Sequence, residues 1–233
     1  MLVPTDPSGE HVVSDLIRLY SYWRSSAAFR VRIALNLKGL RYDYLAVNLV
    51  EGGGQQHASE FHKLNPQELV PVLVDGERVI RQSMSIIEYL AEVYHGSGIA
   101  LLPPTARERA RVRSIAQAVA CDIHPLNNTR VLGYLGEQFA ATQAQKEEWV
   151  RHWIGIGFDA VEELLGGNPS TGEFCEGDEP TMADCCLVPQ VYNARRFGLD
   201  MARYPTIARI HARCLAMPEF ANALPENQPD APR

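Results

Sequence analysis

The sequence predicts an α/β domain followed by an all-helical domain. Strand-like segments are confined to roughly the first eighty residues, and the first two of them bracket a helix. Beyond about residue 107 the strand signals fade and helical periodicity takes over. At 233 residues the chain is long enough for two modest cores or one large one.

The elements follow in order. Leu16 to Tyr22 (LIRLYSY) mixes apolar and aromatic residues with partial alternation, as a strand does. Ser25 and Ser26 then supply an N-cap for a helix whose apolar residues Ala27, Val31, Ala34 and Leu35 recur at helical spacing, with Gly39 as its stop. Arg41 to Leu49 (RYDYLAVNL) is strand-like again, which completes a βαβ unit with parallel strands. Gly52 to Gly54 opens a polar loop. Leu69–Val74 and Glu77–Ile80 flank Asp75-Gly76, a two-residue hairpin signal, and predict two antiparallel strands.

Ser83 or Ser85 is expected to cap the next helix, with Ile86, Leu90, Val93 and Tyr94 as its apolar stripe. Gly96, Gly98, Pro103 and Pro104 mark a connection. Helices are expected from Arg107 to about Phe139 with an interruption near Pro125, from Gln143 to Leu165, and from Thr181. There Thr181-Met-Ala-Asp184 has capping-box spacing and Ala183, Leu187, Val188 and Val191 form an apolar face. The expected layout is a mobile extension over 1–15, an α/β domain over 16–96, a linker over 97–106, and a helical domain with an extended tail over 107–233.

Composition narrows the function. With 22 Lys and Arg against 28 Asp and Glu the net charge is -6, which disfavours nucleic acid or an anionic membrane as partner and requires any anionic substrate to meet a local basic pocket. Five cysteines, with no C-x-x-C pair and no spaced His/Cys cluster, favour a reducing compartment and disfavour structural zinc. No apolar run reaches the length of a membrane helix, and the first fifteen residues lack the apolar core of a signal peptide, so the expected setting is the cytosol.

Three places can carry chemistry. Ser25 and Ser26 bring hydroxyls and free backbone N–H groups to a helix start, where an anion such as a thiolate is favoured, although plain capping needs nothing more. Val70-Pro71 precedes a strand, and proline there suits an edge, either as protection or as a place for a peptide-like ligand to add. Gln82-Ser83 repeats the logic of the first site, suited to a carboxylate or to capping.

Taken together, Ser25-Ser26 followed by RVRIALNLKGL, NPQELVPVL and QSMSIIEYL resembles the amino-terminal domain of glutathione transferases, most closely the zeta class. The resemblance continues through DIHPLNNTRVL, TMADCCLVPQV and NARRFGLDMARYPTI, over roughly residues 16–220. It implies a thioredoxin-like domain plus a helical substrate-binding domain, a homodimer, and glutathione lying along the strand edge at Val70 and Pro71, with Pro71 cis. By the same match Ser25 or Ser26 meets the sulfur, with Ser25 favoured, Gln56 and Val70 meet the ligand backbone, and Gln82 and Ser83 meet the γ-glutamyl group. His124 and Asn128 line the site from the second domain.

The implied activity is cis–trans isomerisation of maleylacetoacetate, or of maleylpyruvate, by reversible thiolate addition, with glutathione as coenzyme. Such a site must also hold a dicarboxylate. Arg24, Arg130 and Arg196 are the candidates, because guanidinium groups bind carboxylates bidentately and stay charged. The family's Ser-Ser-Cys is here Ser25-Ser26-Ala27, so no protein thiol stands at that place and the nucleophile must be glutathione's own. Two other activities use the same residues: conjugation or dehalogenation of α-halo acids, which consumes glutathione, and glutathione binding without catalysis.

Overall fold

The structure is a computed structural model that describes residues 17–232, so the expectation of a mobile segment over 1–15 lies outside the described residues. Strand β1 is Ile17–Ser21 and helix α1 Ser26–Leu37; β2 is Asp43–Ala46, shorter than the strand expected over residues 41–49. Helix α2 (Ser59–Leu64), β3 (Val72–Asp75), β4 (Arg78–Arg81) and α3 (Ser83–Val93) follow. The sheet order is β2-β1-β3-β4, with β1 and β2 parallel and the other pairs antiparallel.

Alternation along the strands divides the core. Ile17, Leu19 and Leu73 face α1 and α3 and join one continuous apolar core with the helical part, whereas Val72 and Val74 face a smaller cluster with Phe61 of α2. Both faces of β3 are therefore covered, which explains its unbroken VLVD run. β3 is thus an interior strand, not the edge expected from Pro71. The proline stands just before the ladder begins, where its missing N–H costs no pairing.

Three local expectations shift. The hairpin turn is Gly76-Glu77, one residue later than expected, because Asp75 still pairs with Arg78; Gly76 takes the positive φ of 57°. Neither Ser83 nor Ser85 caps α3. Gln82 holds the cap position at φ 69°, without a side-chain cap bond, and Ser83 is the first helical residue. Val93 is exposed, and Ile87 is buried in the stripe with Ile86, Leu90 and Tyr94.

The helical part comprises α4 (Ala106–Gln117), α5 (Thr129–Phe139), α6 (Gln143–Leu165), α7 (Met182–Arg196), α8 (Pro205–Leu215) and the single turn α9 (Pro218–Ala221). The helix expected to run to Phe139 is split. After Gln117 it widens to a π turn over Ala118–Ile123 and tightens to a 3-10 turn over His124–Asn127, an accommodation of Pro125, whose ring cannot follow a regular α turn. α7 packs on both α1 and α4 and is buried along nearly its whole length.

The start of α7 is a buried capping box. Asp184 accepts from the Thr181 N–H and hydroxyl and from the Cys175 N–H, at 2.8 to 3.0 Å. The tail is not extended: α9 packs against α1, and the turns after it fold back toward the start of the chain. Because Asp184→Ala leaves three enclosed donors without an acceptor, it is expected to lower unfolding stability by roughly 2–3 kcal/mol, measured by urea unfolding.

Candidate active site

Two adjoining lobes lie between the α/β and helical parts. The first, about 300 Å³, is lined by Arg24, Ser25, Ser26, Gln56, Val70, His124, Asn128, Arg130 and Arg196, among others. The second, about 290 Å³, takes in Pro71, Gln82 and Ser83 and shares Val70, His124, Asn128 and Arg130 with the first. Every residue selected from the sequence therefore faces one composite cleft.

The start of α1 shows why two roles are compatible there. Ser25 is the N-cap, and its Oγ accepts the Ala28 N–H at 3.2 Å. That uses a lone pair and leaves the hydroxyl proton free to donate. The Ser25 N–H is itself fixed on the Tyr22 carbonyl at 2.9 Å, and the N–H groups of Ser26 and Ala27 in the first helical turn have no partner among the described residues. An anion at this end meets one hydroxyl, two free amides and the positive end of the helix dipole.

At the second lobe the peptide bond between Val70 and Pro71 is cis, and the Val70 N–H and C=O make no hydrogen bond among the described residues. Gln82 places its amide on Gln67 at 2.7 Å. Below Ser83 lies a residue the sequence reading passed over. Arg30 is 2% exposed, donates from Nη1 to the Ser83 Oγ at 3.2 Å, and leaves Nε and Nη2 enclosed without a partner. Burial lowers its pKa. A signal was available: Arg30 stands four residues after Ser26, hence on the same face of α1.

His124 and Gln56 also carry enclosed polar atoms with no partner, Nδ1 and Oε1 respectively. Buried polar groups are normally satisfied, so orphans gathered along one cleft fit a polar ligand that pairs with them. The donors and acceptors present match glutathione: free amides for a thiolate, a peptide-like segment at Val70, and a cationic floor for a carboxylate. Burial, with Arg30 second, pushes the His124 imidazole down to about 3, so it is neutral at ordinary pH.

The first lobe is also cationic. Arg24 lies over the Trp23 ring at 5.6 Å and Arg196 over the Phe197 ring at 4.9 Å, and neither they nor Arg130 pair with a carboxylate among the described residues. Burial first and Arg24 next lower the Arg196 pKa, which puts the two guanidinium groups within electrostatic reach of each other. Arg195 and Arg196 are both exposed, and of the two Arg196 lines this cleft. Asn128 spends its Oδ1 on capping α5, leaving its amide group free. Asn127 and Asn193, also unforeseen, form a buried hydrogen bond of 3.1 Å that joins the 3-10 turn to α7.

The amino-terminal domain family of glutathione S-transferases matches residues 19–98. The chain is 54% identical to a probable maleylacetoacetate isomerase of Vibrio cholerae over 91% of this chain and 97% of that one. It is 49% identical to a maleylpyruvate isomerase of a Ralstonia species, over 92% and 100%. Among solved structures, a zeta-class maleyl pyruvate isomerase superposes with a TM-score of 0.89 at 48% identity, covering 92% of this chain and 100% of that one. The maleylacetoacetate isomerase of Methylobacterium extorquens AM1, with malonate and GSH bound, superposes at 0.88 with 43% identity, over 93% and 100%.

The depressed His124 pKa carries a stability consequence. An unfolded chain protonates this imidazole near pH 6.5, and the folded chain only near 3, so the contribution is complete above 6.5 and is lost as pH falls from there toward 3. His124→Gln is expected to flatten the acid side of the stability curve by up to about one proton, measured by urea unfolding at about pH 5 and about pH 7.

Proposed function

This chain belongs to the zeta class of the glutathione S-transferase family, and we propose that it is a glutathione-dependent cis–trans isomerase acting on maleylacetoacetate. The observation that carries the reading is the pairing of a thiolate-ready helix start with three guanidinium groups that have no carboxylate partner among the described residues, on one cleft of an acidic protein. A substrate with two carboxylates uses such a surplus of positive charge. The relative with malonate and GSH bound supports the same combination of ligands.

Bound glutathione would supply a thiolate that adds to the activated double bond and leaves again after rotation about the resulting single bond. The protein's part is to hold charge in place. Ser25 directs its hydroxyl proton outward because Ala28 occupies its lone pair, and so favours thiolate over thiol without acting as a base. The amides of Ser26 and Ala27 add to that preference. Val70 offers a free N–H and C=O to the peptide portion, Gln56 an amide oxygen, and Arg30 with Gln82 and Ser83 a cradle for the γ-glutamyl carboxylate. Arg24, Arg130 and Arg196 orient the substrate carboxylates and stabilise negative charge that develops beside them. His124, neutral, and Asn128 shape the wall between the lobes.

A homodimer and a cytosolic setting are part of the proposal. All five cysteines are unpaired, which suits a reducing compartment, and among the described residues no helix is long and apolar enough to cross a membrane. Light scattering of the purified chain measures the dimer.

Purified protein assayed with maleylacetoacetate or maleylpyruvate, with and without glutathione, is expected to convert the first at a constant glutathione concentration. Faster turnover of maleylpyruvate would reassign the substrate, depletion of glutathione would mean conjugation, and no turnover of either by folded, glutathione-binding protein would sink the isomerase proposal. Ser25→Ala removes a bond to a charged group worth roughly 1.5–3 kcal/mol, so kcat/KM is expected to fall about 10- to 100-fold. Arg196→Ala is expected to raise KM for the diacid about tenfold or more, with partial recovery in Arg196→Lys.

A further inference from the structure

The turn between β1 and α1 carries Arg24 and Ser25, yet little of what holds it is local. The Tyr22 carbonyl accepts from the Ser25 N–H at 2.9 Å and from Arg32 Nη1 at 3.4 Å, and the Trp23 carbonyl accepts from Arg32 Nη2 at 3.1 Å. Among the described residues the Trp23 N–H has one partner, and it comes from 207 residues away: Asp230 Oδ2, at 3.0 Å. The other oxygen of that carboxylate accepts from the Tyr44 hydroxyl of β2 at 2.7 Å. Both oxygens are thus engaged, one on the turn and one on the sheet.

The tail that brings Asp230 is itself braced. Gln228 donates to the carbonyls of Asn222 and Leu224 at 3.0 and 2.8 Å, and the Ala231 N–H closes onto the Gln228 carbonyl at 3.1 Å. Glu226 accepts from the Tyr192 hydroxyl on α7, and Tyr192 stands four residues before Arg196, on the same helix face. One braced segment therefore touches the supports of Arg24 and Ser25 at one point and of Arg196 at another.

We propose that Asp230 is a positioning residue for this site: its carboxylate holds the Trp23 amide and so fixes the turn that presents Arg24 and Ser25. The inference rests on the isomerase reading above for its catalytic consequence, though not for the clamp itself. A charge-assisted bond to a backbone amide is strong and directional, and small displacements of groups that meet a reacting centre cost rate steeply. The γ-glutamyl end of glutathione would be held at the start of α3, remote from this turn. Loss of the clamp is therefore expected in kcat more than in the KM for glutathione.

The test compares the full-length parent with Asp230→Ala, Asp230→Asn and Asp200→Ala. Asp200→Ala removes a carboxylate bond of the same kind, 3.0 Å to the Ala202 N–H, at an exposed short turn. Each protein is read by circular dichroism for folding, by isomerase kinetics and by amide hydrogen exchange over Trp23 to Ser26. Asp230→Ala is expected to lose protection at Trp23 and to lower kcat about tenfold, with KM for glutathione changed less than about threefold. Asp230→Asn keeps one acceptor oxygen for Trp23 and is expected to recover part of kcat; Asp200→Ala is expected to match the parent. The proposal is overturned if Asp230→Ala keeps the parent's kcat and Trp23 protection, or if the Ala and Asn variants are equally impaired. Should Asp230→Ala not fold, the kcat and exchange of Asp230→Asn against the parent decide. A parent that lacks isomerase activity defeats the functional reading, and Trp23 exchange then decides the clamp alone.

Discussion

The placement of α1 depends on one buried cation. Arg32 is fully enclosed, and among the described residues its guanidinium makes no ion pair. It is satisfied by neutral oxygens: the Ala223 carbonyl, accepting from Nε and Nη2 at 3.1 Å each, the Ser21 hydroxyl, and the carbonyls of Tyr22 and Trp23. Burial lowers its pKa to about 10, which still leaves it charged at neutral pH. Five donors in a rigid planar fork suit this task, and a lysine could not span it. The end of β1, the turn after it, α1 and the turn that follows α9 are thereby set relative to one another around one group.

From that frame the cleft acquires its character. α1 begins at a fixed place, so Ser25, Ser26 and Ala27 line the first lobe. α7, packed against α1, carries Arg196 to the same lobe. Among the described residues the arginines there make no ion pair, while other arginines do find partners, Arg113 on Glu88 and Arg111 on Glu176 among them. The carboxylate that does line the first lobe, Glu68, is engaged by His57 and His62, so the arginines there are left to an anion. Arg30, nearly inaccessible and bound among the described residues only to Ser83, extends the same logic to the second lobe.

Much of this was legible because it is local. The cap at Ser25, the helix after it, the box at Thr181 and Asp184, and the run Gln143–Leu165 follow from short-range spacing, and the structure has them where the spacing puts them. What escaped was set at a distance. Pro71 suggested an edge because the hairpin with β4 is a local signal, whereas the pairing of β1 on the other side of β3 is set by residues more than fifty positions away. Ser83 was read as a cap because serine prefers caps, but the backbone at Gln82 enters α3 at positive φ and leaves the Ser83 hydroxyl to Arg30. The contact between Asp230 and Trp23 had no sequence signal at all, since neither residue belongs to a periodic element. α8 and α9 each begin with a proline at the first helical position, Pro205 and Pro218, a cue that was present and unused.

The central claim is that the start of α1 stabilises a thiolate. The most direct test is a pH titration of glutathione bound to the parent protein, followed by the ultraviolet absorbance of the thiolate. A free thiol titrates at about 8.5, and the account predicts a bound value lower by about one unit or more, as a hydroxyl donor and free helix amides require. A bound thiol that titrates at the same pH as free glutathione would contradict it.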